Sequence, residues 1–131
     1  MKGTFELNKL KESVAALEHA LTFLGEVKRE PVYHAAITKN FEVCLEYAWK
    51  FLKRRVIEEG FDPASPREAI KLAGRVGLIA DVEKWLDYLE DRNEAVHDYL
   101  GVSDEEYLTT IQEFFGDVKK LLAAGENRLT L

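Results

Sequence analysis

Cysteine is nearly missing from this chain. The one residue, Cys44, cannot close an internal disulfide, and no paired cysteine or histidine spacing suggests a zinc site. No apolar run approaches the ~20 residues needed to span a bilayer. The opening Met1-Lys2-Gly3-Thr4-Phe5-Glu6 leads into charged periodic sequence and not into a signal-peptide core, so a cytoplasmic location with no membrane partner is the default expectation. Alternation of period two, internal repeats and low-complexity tracts are all absent, which removes sheet-based folds and solenoids. Phosphate loops, dinucleotide motifs and nucleophilic triads go with them: Gly74-Arg75-Val76-Gly77 lacks the flanking strand such loops require. A nucleotidyltransferase catalytic core is likewise not expected, because its carboxylates need a sheet to hold them. A net charge of −6 disfavours broad, sequence-blind attraction to nucleic acid, although a local basic patch can still hold a few phosphates.

What is present is a helical pattern. At 131 residues the chain reads as one domain, long enough to bury roughly two thirds of its unfolded surface. Its 47% hydrophobic and 11% aromatic content suits a packed globule and not a disordered chain. Leu7, Leu10, Val14, Leu17, Leu21 and Leu24 recur at three- and four-residue steps, predicting a helix from about Phe5 to Leu24 that Gly25 and Pro31 separate from the next. A longer helix follows from about Val32 to Glu59, with Phe41, Leu45, Ala48, Leu52 and Val56 on one row and Gly60 at its end. Ser65, Pro66 and Glu68 form a capping box that opens a short helix stopping near Gly77. A fourth helix spans about Asp81 to Tyr99. Ser103 and Glu106 open a fifth, which carries Leu108, Ile111, Phe115, Val118 and Leu122 to Gly125. The expected architecture is all-α: an antiparallel up-and-down bundle of four long helices plus one short one over residues 1–125, with 126–131 as a frayed tail.

The fourth helix breaks the pattern. Val82, Trp85, Leu89, Val96 and Tyr99 make one apolar stripe, yet Arg92 falls between Leu89 and Val96 on that same row. Asn93 and His97 sit four apart on the adjoining row, in line with Leu86. Burying an unpartnered guanidinium, amide or imidazole is costly, so the stripe faces a cleft, or a second subunit or ligand supplies partners. The plain alternative is that Arg92 pairs with an acid from another helix while His97 meets the helix dipole before Gly101. The interrupted stripe also suggests a dimer built on this helix, with Trp85 and Leu89 near its edge or core. Elsewhere, Lys50, Lys53, Arg54 and Arg55 close the second helix, and Arg67, Lys71 and Arg75 stripe the third. Both sets read as solvated faces, and both are also the places where a phosphate backbone is gripped if one binds; Lys53, Arg54, Arg67 and Lys71 are the candidates. Asp87, Glu90, Asp91 and Glu94 wrap the outer face of the fourth helix, so no metal site is expected there. His19 and His34 are isolated. Trp49 and Trp85 read as core or interface packing, and Cys44 as an inert small hydrophobe.

The segment RNEAVHDY resembles the HEPN superfamily, marked by an arginine, four to six intervening residues and a histidine. The fuller order of arginine, asparagine, three residues, histidine, one residue and tyrosine is similar to that of the HepT toxins, a group also described as nucleotidyltransferase substrate-binding proteins. FEVCLEYAWKFLKRR, SPREAIKLAGRVGLI and VEKWLDYLEDRN fit the same group, so the resemblance covers about Phe41 to Tyr99. Val96 departs from it, standing where many relatives carry serine or threonine. The resemblance implies a homodimer with two motif helices across a shared cleft, acting without cofactor or metal as an endoribonuclease on RNA. It implies Arg92 as the phosphate holder, Asn93 as an orienting amide and His97 as proton carrier. A partner nucleotidyltransferase would hold this toxin in check, adenylylating Tyr99. The alternative is a non-catalytic subunit that binds and positions substrate for that same partner.

Overall fold

The computed structural model describes residues 4–97 and 104–130, the side chains of 95–97, 104 and 128–130 excepted. Among these residues five α-helices follow one another: α1 Thr4–Leu21, α2 Pro31–Glu58, α3 Pro66–Arg75, α4 Val82–His97 and α5 Asp104–Thr130, with a short 3₁₀ turn at Leu24–Glu26. No strand occurs among the described residues. The all-α bundle of four long helices and one short one is therefore the observed fold.

Local chemistry explains most of the boundaries. Pro31 opens α2, where its missing N–H costs nothing. At the far end Gly60 adopts φ +99; its N–H donates to Ile57 and that of Phe61 to Val56, both at 3.0 Å, which satisfies carbonyls the helix leaves bare. The same closure ends α3, where Gly77 has φ +83 and the Leu78 N–H reaches the Ala73 carbonyl at 2.9 Å. Ser65 caps α3 by accepting from the Glu68 N–H at 3.1 Å. The reciprocal arm of the box goes one residue further back than expected, since Glu68 accepts from the Ala64 N–H at 3.2 Å. Asp81 caps α4 by accepting from the Lys84 N–H at 3.1 Å. Ser103, expected to cap α5, and Gly101 lie outside the described residues.

Three expectations change. The first helix ends at Leu21, because the N–H groups of Thr22 and Phe23 turn to carbonyls three residues back and tighten the chain into the 3₁₀ turn. The fifth helix does not stop at Gly125: residues 126–130, expected as part of a frayed tail, carry it on to Thr130. Gly125 is instead a packing position, since a Cβ there would lie 2.8 Å from the Phe51 ring and 3.1 Å from Leu7. The buried face of α5 is also turned: Tyr107, Ile111, Phe114, Val118 and Leu121 point inward, while Leu108, Phe115 and Leu122 are only partly buried.

α2 is the central element and touches α1, α3, α4 and α5. Its row Phe41, Leu45, Ala48, Leu52 and Val56 is buried as its spacing implies. Phe41, Trp85, Tyr88 and Phe114 meet edge to face around the α2–α4–α5 junction, with neighbouring centroids between 5.1 and 5.7 Å apart. Tyr88 donates its hydroxyl to Asp117, joining α4 to α5. This packing holds Trp85, Leu86, Tyr88 and Leu89 of α4 in the core.

Candidate functional site

Arg92 lies in the third turn of α4 against α2. Its guanidinium Nη2 stands 3.9 Å from Glu46 Oε2, and its side chain is 29% exposed. The Arg92 Nε is shielded from solvent and has no hydrogen-bond partner. The acid-from-another-helix alternative is thus realised only loosely, at a length that is an ion pair but not a hydrogen bond.

Glu46 is the organising acid, and nothing in the sequence marked it. It accepts from the Trp49 indole N–H at 3.1 Å and pairs with Lys50 at 3.3 Å. Burial pushes its carboxyl upward, but the hydrogen bonds from Trp49 and Lys50 and the charges of Lys50 and Arg92 outweigh that and hold it below the ordinary value. Around these groups runs an open groove of ≈ 380 Å³, in which Lys39, Lys50 and Arg92 face Glu42 and Glu46 beside Tyr47. Tyr107 is buried at the rear of the same region. Burial, then the charge of Glu42, pushes its phenol up, with Arg92 pulling the other way.

The remaining motif residues divide. Asn93 is exposed on the next position of α4. His97 is the last residue of α4, so its backbone is helical and stands one row with Asn93; its side chain, and Tyr99 altogether, lie outside the described residues. Of the proposed phosphate contacts, Lys53 and Arg54 line a second groove of ≈ 500 Å³ that shares Tyr47 and Lys50 with the first. Arg67 and Lys71 are exposed on α3 and line neither groove. Asp87, Glu90 and Glu94 are exposed, while Asp91 accepts from the Thr110 hydroxyl at 3.0 Å.

Other chemistry falls away on inspection. The Cys44 thiol is pushed up to about 12 by burial, against a hydrogen bond with Ser13, and offers no thiolate. A larger hollow of ≈ 580 Å³ lies at the start of α4 near Asp81 and Lys84, about 12 Å of helix away from Arg92 by the ~1.5 Å rise per residue. Trp85 and Leu89 do not sit at a surface: they are 3% and 5% exposed, packed inside the bundle. That corrects the expectation that they border a dimer contact, because Phe114 and Tyr88 already cover the Trp85 ring.

Comparisons with known proteins bear on the family and the fold. A family model described as nucleotidyltransferase substrate binding protein like matches residues 5–127. No curated protein matches the sequence. Among solved structures, the tri-AMPylated Shewanella oneidensis HEPN toxin in complex with MNT antitoxin superposes with a TM-score of 0.80 at 16% identity, covering 95% of this chain and 96% of that one. A toxin–antitoxin structure with AMP-PNP gives a TM-score of 0.77 at 15% identity, covering 92% and 95%. A mutant of the MntA–HpeT toxin–antitoxin gives 0.79 at 16% identity, covering 95% and 97%. At such identities the likeness shows a shared fold.

Proposed function

The chain belongs to the nucleotidyltransferase substrate binding protein-like family, with the fold of HepT-like HEPN toxins, and from that premise we propose that it is a toxin endoribonuclease neutralised by a partner nucleotidyltransferase. The observation that carries the reading is the state of Arg92. Its Nε donor is shielded and unmatched, its nearest acid stands 3.9 Å away, and its groove also holds Lys39 and Lys50. An unmatched buried donor costs ~1–3 kcal/mol. An RNA phosphate entering the groove would satisfy it and draw on the geometry that makes arginine–phosphate contacts strong.

In the proposed reaction His97 takes the proton of a ribose 2′-hydroxyl as that oxygen attacks the adjacent phosphorus. The bond to the 5′-oxygen breaks, and a second imidazole, the His97 of a second copy across a two-fold axis, returns a proton to the leaving oxygen. The products are a 2′,3′-cyclic phosphate and a free 5′-hydroxyl. Arg92 holds the phosphate and stabilises its developing charge. Asn93, four residues before His97 on α4, orients the imidazole or the phosphate. Lys53 and Arg54 extend the phosphate path; Arg67 and Lys71 belong to it only at a distance, on α3. No step requires a metal or cofactor.

Restraint of the toxin enters through the partner. The Shewanella relative is AMPylated in its complex with an antitoxin, and the same transfer onto Tyr99, two residues past His97 in the motif, would add bulk and negative charge to the segment that carries the proposed proton carrier. The second reading, a non-catalytic subunit that positions substrate for the nucleotidyltransferase, is favoured by Glu46, which already faces the guanidinium, and by a net charge of −6.

Cleavage of RNA by the purified protein separates the two. The ribonuclease cuts RNA in the presence of chelator. His97→Ala abolishes cutting with helical content unchanged, and Arg92→Ala lowers it about 10²-fold or more, the scale of losing one transition-state contact. Wild-type protein that cuts nothing, or a His97→Ala protein that cuts equally well, leaves the substrate-binding reading.

A further inference from the structure

The second groove is unlike an ordinary solvated surface. It lies between the first turn of α1 and the later half of α2, and it exposes apolar side chains: Phe5 is 67% exposed and Ile57 40%. Tyr47 and the half-buried Trp49 line the same hollow. Exposed apolar area gathered in one place marks a contact surface more often than chance. Here it is interleaved with cations, as Lys50, Lys53 and Arg54 share the lining with Glu6, while Glu46 and Glu58 pair with Lys50 and Arg54 from beside it. The Lys50 ammonium lies 5.9 Å from the Tyr47 ring centroid, and that of Lys9 lies 5.8 Å from the Phe5 ring. The Arg54 Nε is shielded and makes no hydrogen bond, its nearest acid being Glu58 at 4.0 Å.

Two features select the occupant. A protein interface accounts for the rings but not for this concentration of cations in a chain of net charge −6. A nucleic-acid duplex accounts for the cations but not the rings, because its bases have no free faces. Rings alternating with cations along a groove are what an unpaired strand needs, with bases stacking and phosphates paired. The groove is also continuous with the Arg92 groove through Tyr47 and Lys50. Glu46 binds the two together by accepting from Trp49 on one side and facing Arg92 on the other.

We propose that the α1–α2 groove is a base-stacking subsite for single-stranded RNA, leading into the Arg92 groove. Phe5, Tyr47 and Trp49 receive the bases, and Lys50, Lys53 and Arg54 receive the phosphates. From Glu46 to Ile57 this face of α2 runs about 16 Å, at ~1.5 Å per residue, enough for a short oligonucleotide. The proposal rests on the ribonuclease reading and deepens it: cleavage is confined to unpaired RNA because only unpaired bases offer faces to the rings.

The test uses the full chain and a 2′-O-methyl oligouridine, which has no attacking hydroxyl and stays intact. Binding quenches the emission of Trp49, since Trp85 is buried at 3% exposure. Phe5→Ala weakens binding about tenfold, within the range of losing one stacked base. Lys53→Ala lowers the slope of log affinity against log salt by about 0.7, the value for one phosphate contact to a single strand. Both side chains are exposed, so both variants keep the fold, and a duplex of the same length competes poorly. Unchanged affinity and salt slope in both variants, with RNA cleavage intact, overturns the subsite and leaves the ribonuclease standing. A Phe5→Ala protein that changes oligomeric state but binds the oligonucleotide normally makes the groove a contact between copies, which also overturns it. Wild-type protein that neither binds the probe nor cuts RNA overturns the ribonuclease reading and the subsite with it.

Discussion

Glu46 serves three neighbours at once: the Trp49 indole, the Lys50 ammonium and the Arg92 guanidinium. Its carboxyl is held below the ordinary value of 4.5, so it binds fewer protons in the folded chain than in the unfolded one over that range. Its contribution to stability is therefore complete above about pH 4.5 and is lost as pH falls through the depressed folded value. Glu46→Gln removes the titrating group, and its melting temperature is expected to fall less steeply than that of the wild type on acidification below that point. Parallel curves for the two proteins would mean that the pairing with Arg92 and Lys50 carries no weight in stability. At Tyr99 the expectation is chemical. Incubation with the partner nucleotidyltransferase and ATP joins the phenol oxygen to the α-phosphorus, releasing pyrophosphate and a proton. Mass spectrometry then finds AMP on the peptide that contains Tyr99, and Tyr99→Phe loses the modification while retaining cleavage. AMP found only on other peptides refutes Tyr99 as the acceptor.

Within α5, two glycines with the same intrinsic cost have opposite roles. Gly116 faces open space, with nothing within 4 Å of where a Cβ would lie. Gly116→Ala is expected to stabilise the protein by ~0.5–1 kcal/mol, the helical penalty of glycine against alanine. At Gly125 the added methyl meets the Phe51 ring at 2.8 Å and Leu7 at 3.1 Å. Overpacking of ~1–3 kcal/mol then exceeds the propensity gain, and Gly125→Ala is expected to destabilise. Denaturant midpoints for the two variants should move in opposite directions; a stabilised Gly125→Ala protein would show that α5 separates easily from α1 and α2. Within α4, Tyr88 is a core residue that the expected row did not contain. Burial, then its hydrogen bond to Asp117, pushes its phenol well up, so the ring stays neutral where it joins α4 to α5.

For the molecule as a whole, the proposed chemistry needs two copies, since one imidazole must accept a proton while another donates one. Trp85 and Leu89 are spent on the monomer core, so the proposed contact between copies would draw on what α4 leaves exposed, including Asn93 and Glu94. Sedimentation at micromolar concentration is expected to give a particle of about twice the 15.0 kDa chain mass. A monomer under those conditions would end the shared-cleft mechanism, although substrate binding by a single copy would survive it. Among the described residues no helix is long and apolar enough to cross a membrane.

Helix type, order and the stops of α2 and α3 were written locally, in three-and-four spacing, in the Ser65 cap, and in Gly60 and Gly77, whose positive φ favours glycine. The candidate motif was also legible, because Arg92 interrupts an apolar row whatever packs against it. What spacing left open was which of two overlapping rows turns inward. Ile111 and Val118 belong to both α5 rows, and only contact with α1, α2 and α4 chose Tyr107, Phe114 and Leu121 over Leu108, Phe115 and Leu122. Gly125 reads as a stop in sequence because glycine is poor in helices; Phe51 and Leu7, far away in the chain, make it a packing position. Glu46 could not be tied to Arg92 from the sequence, since forty-six positions separate them and the pairing exists only where α2 and α4 touch. Periodicity is a property of one helix, whereas partners, grooves and clashes are properties of two.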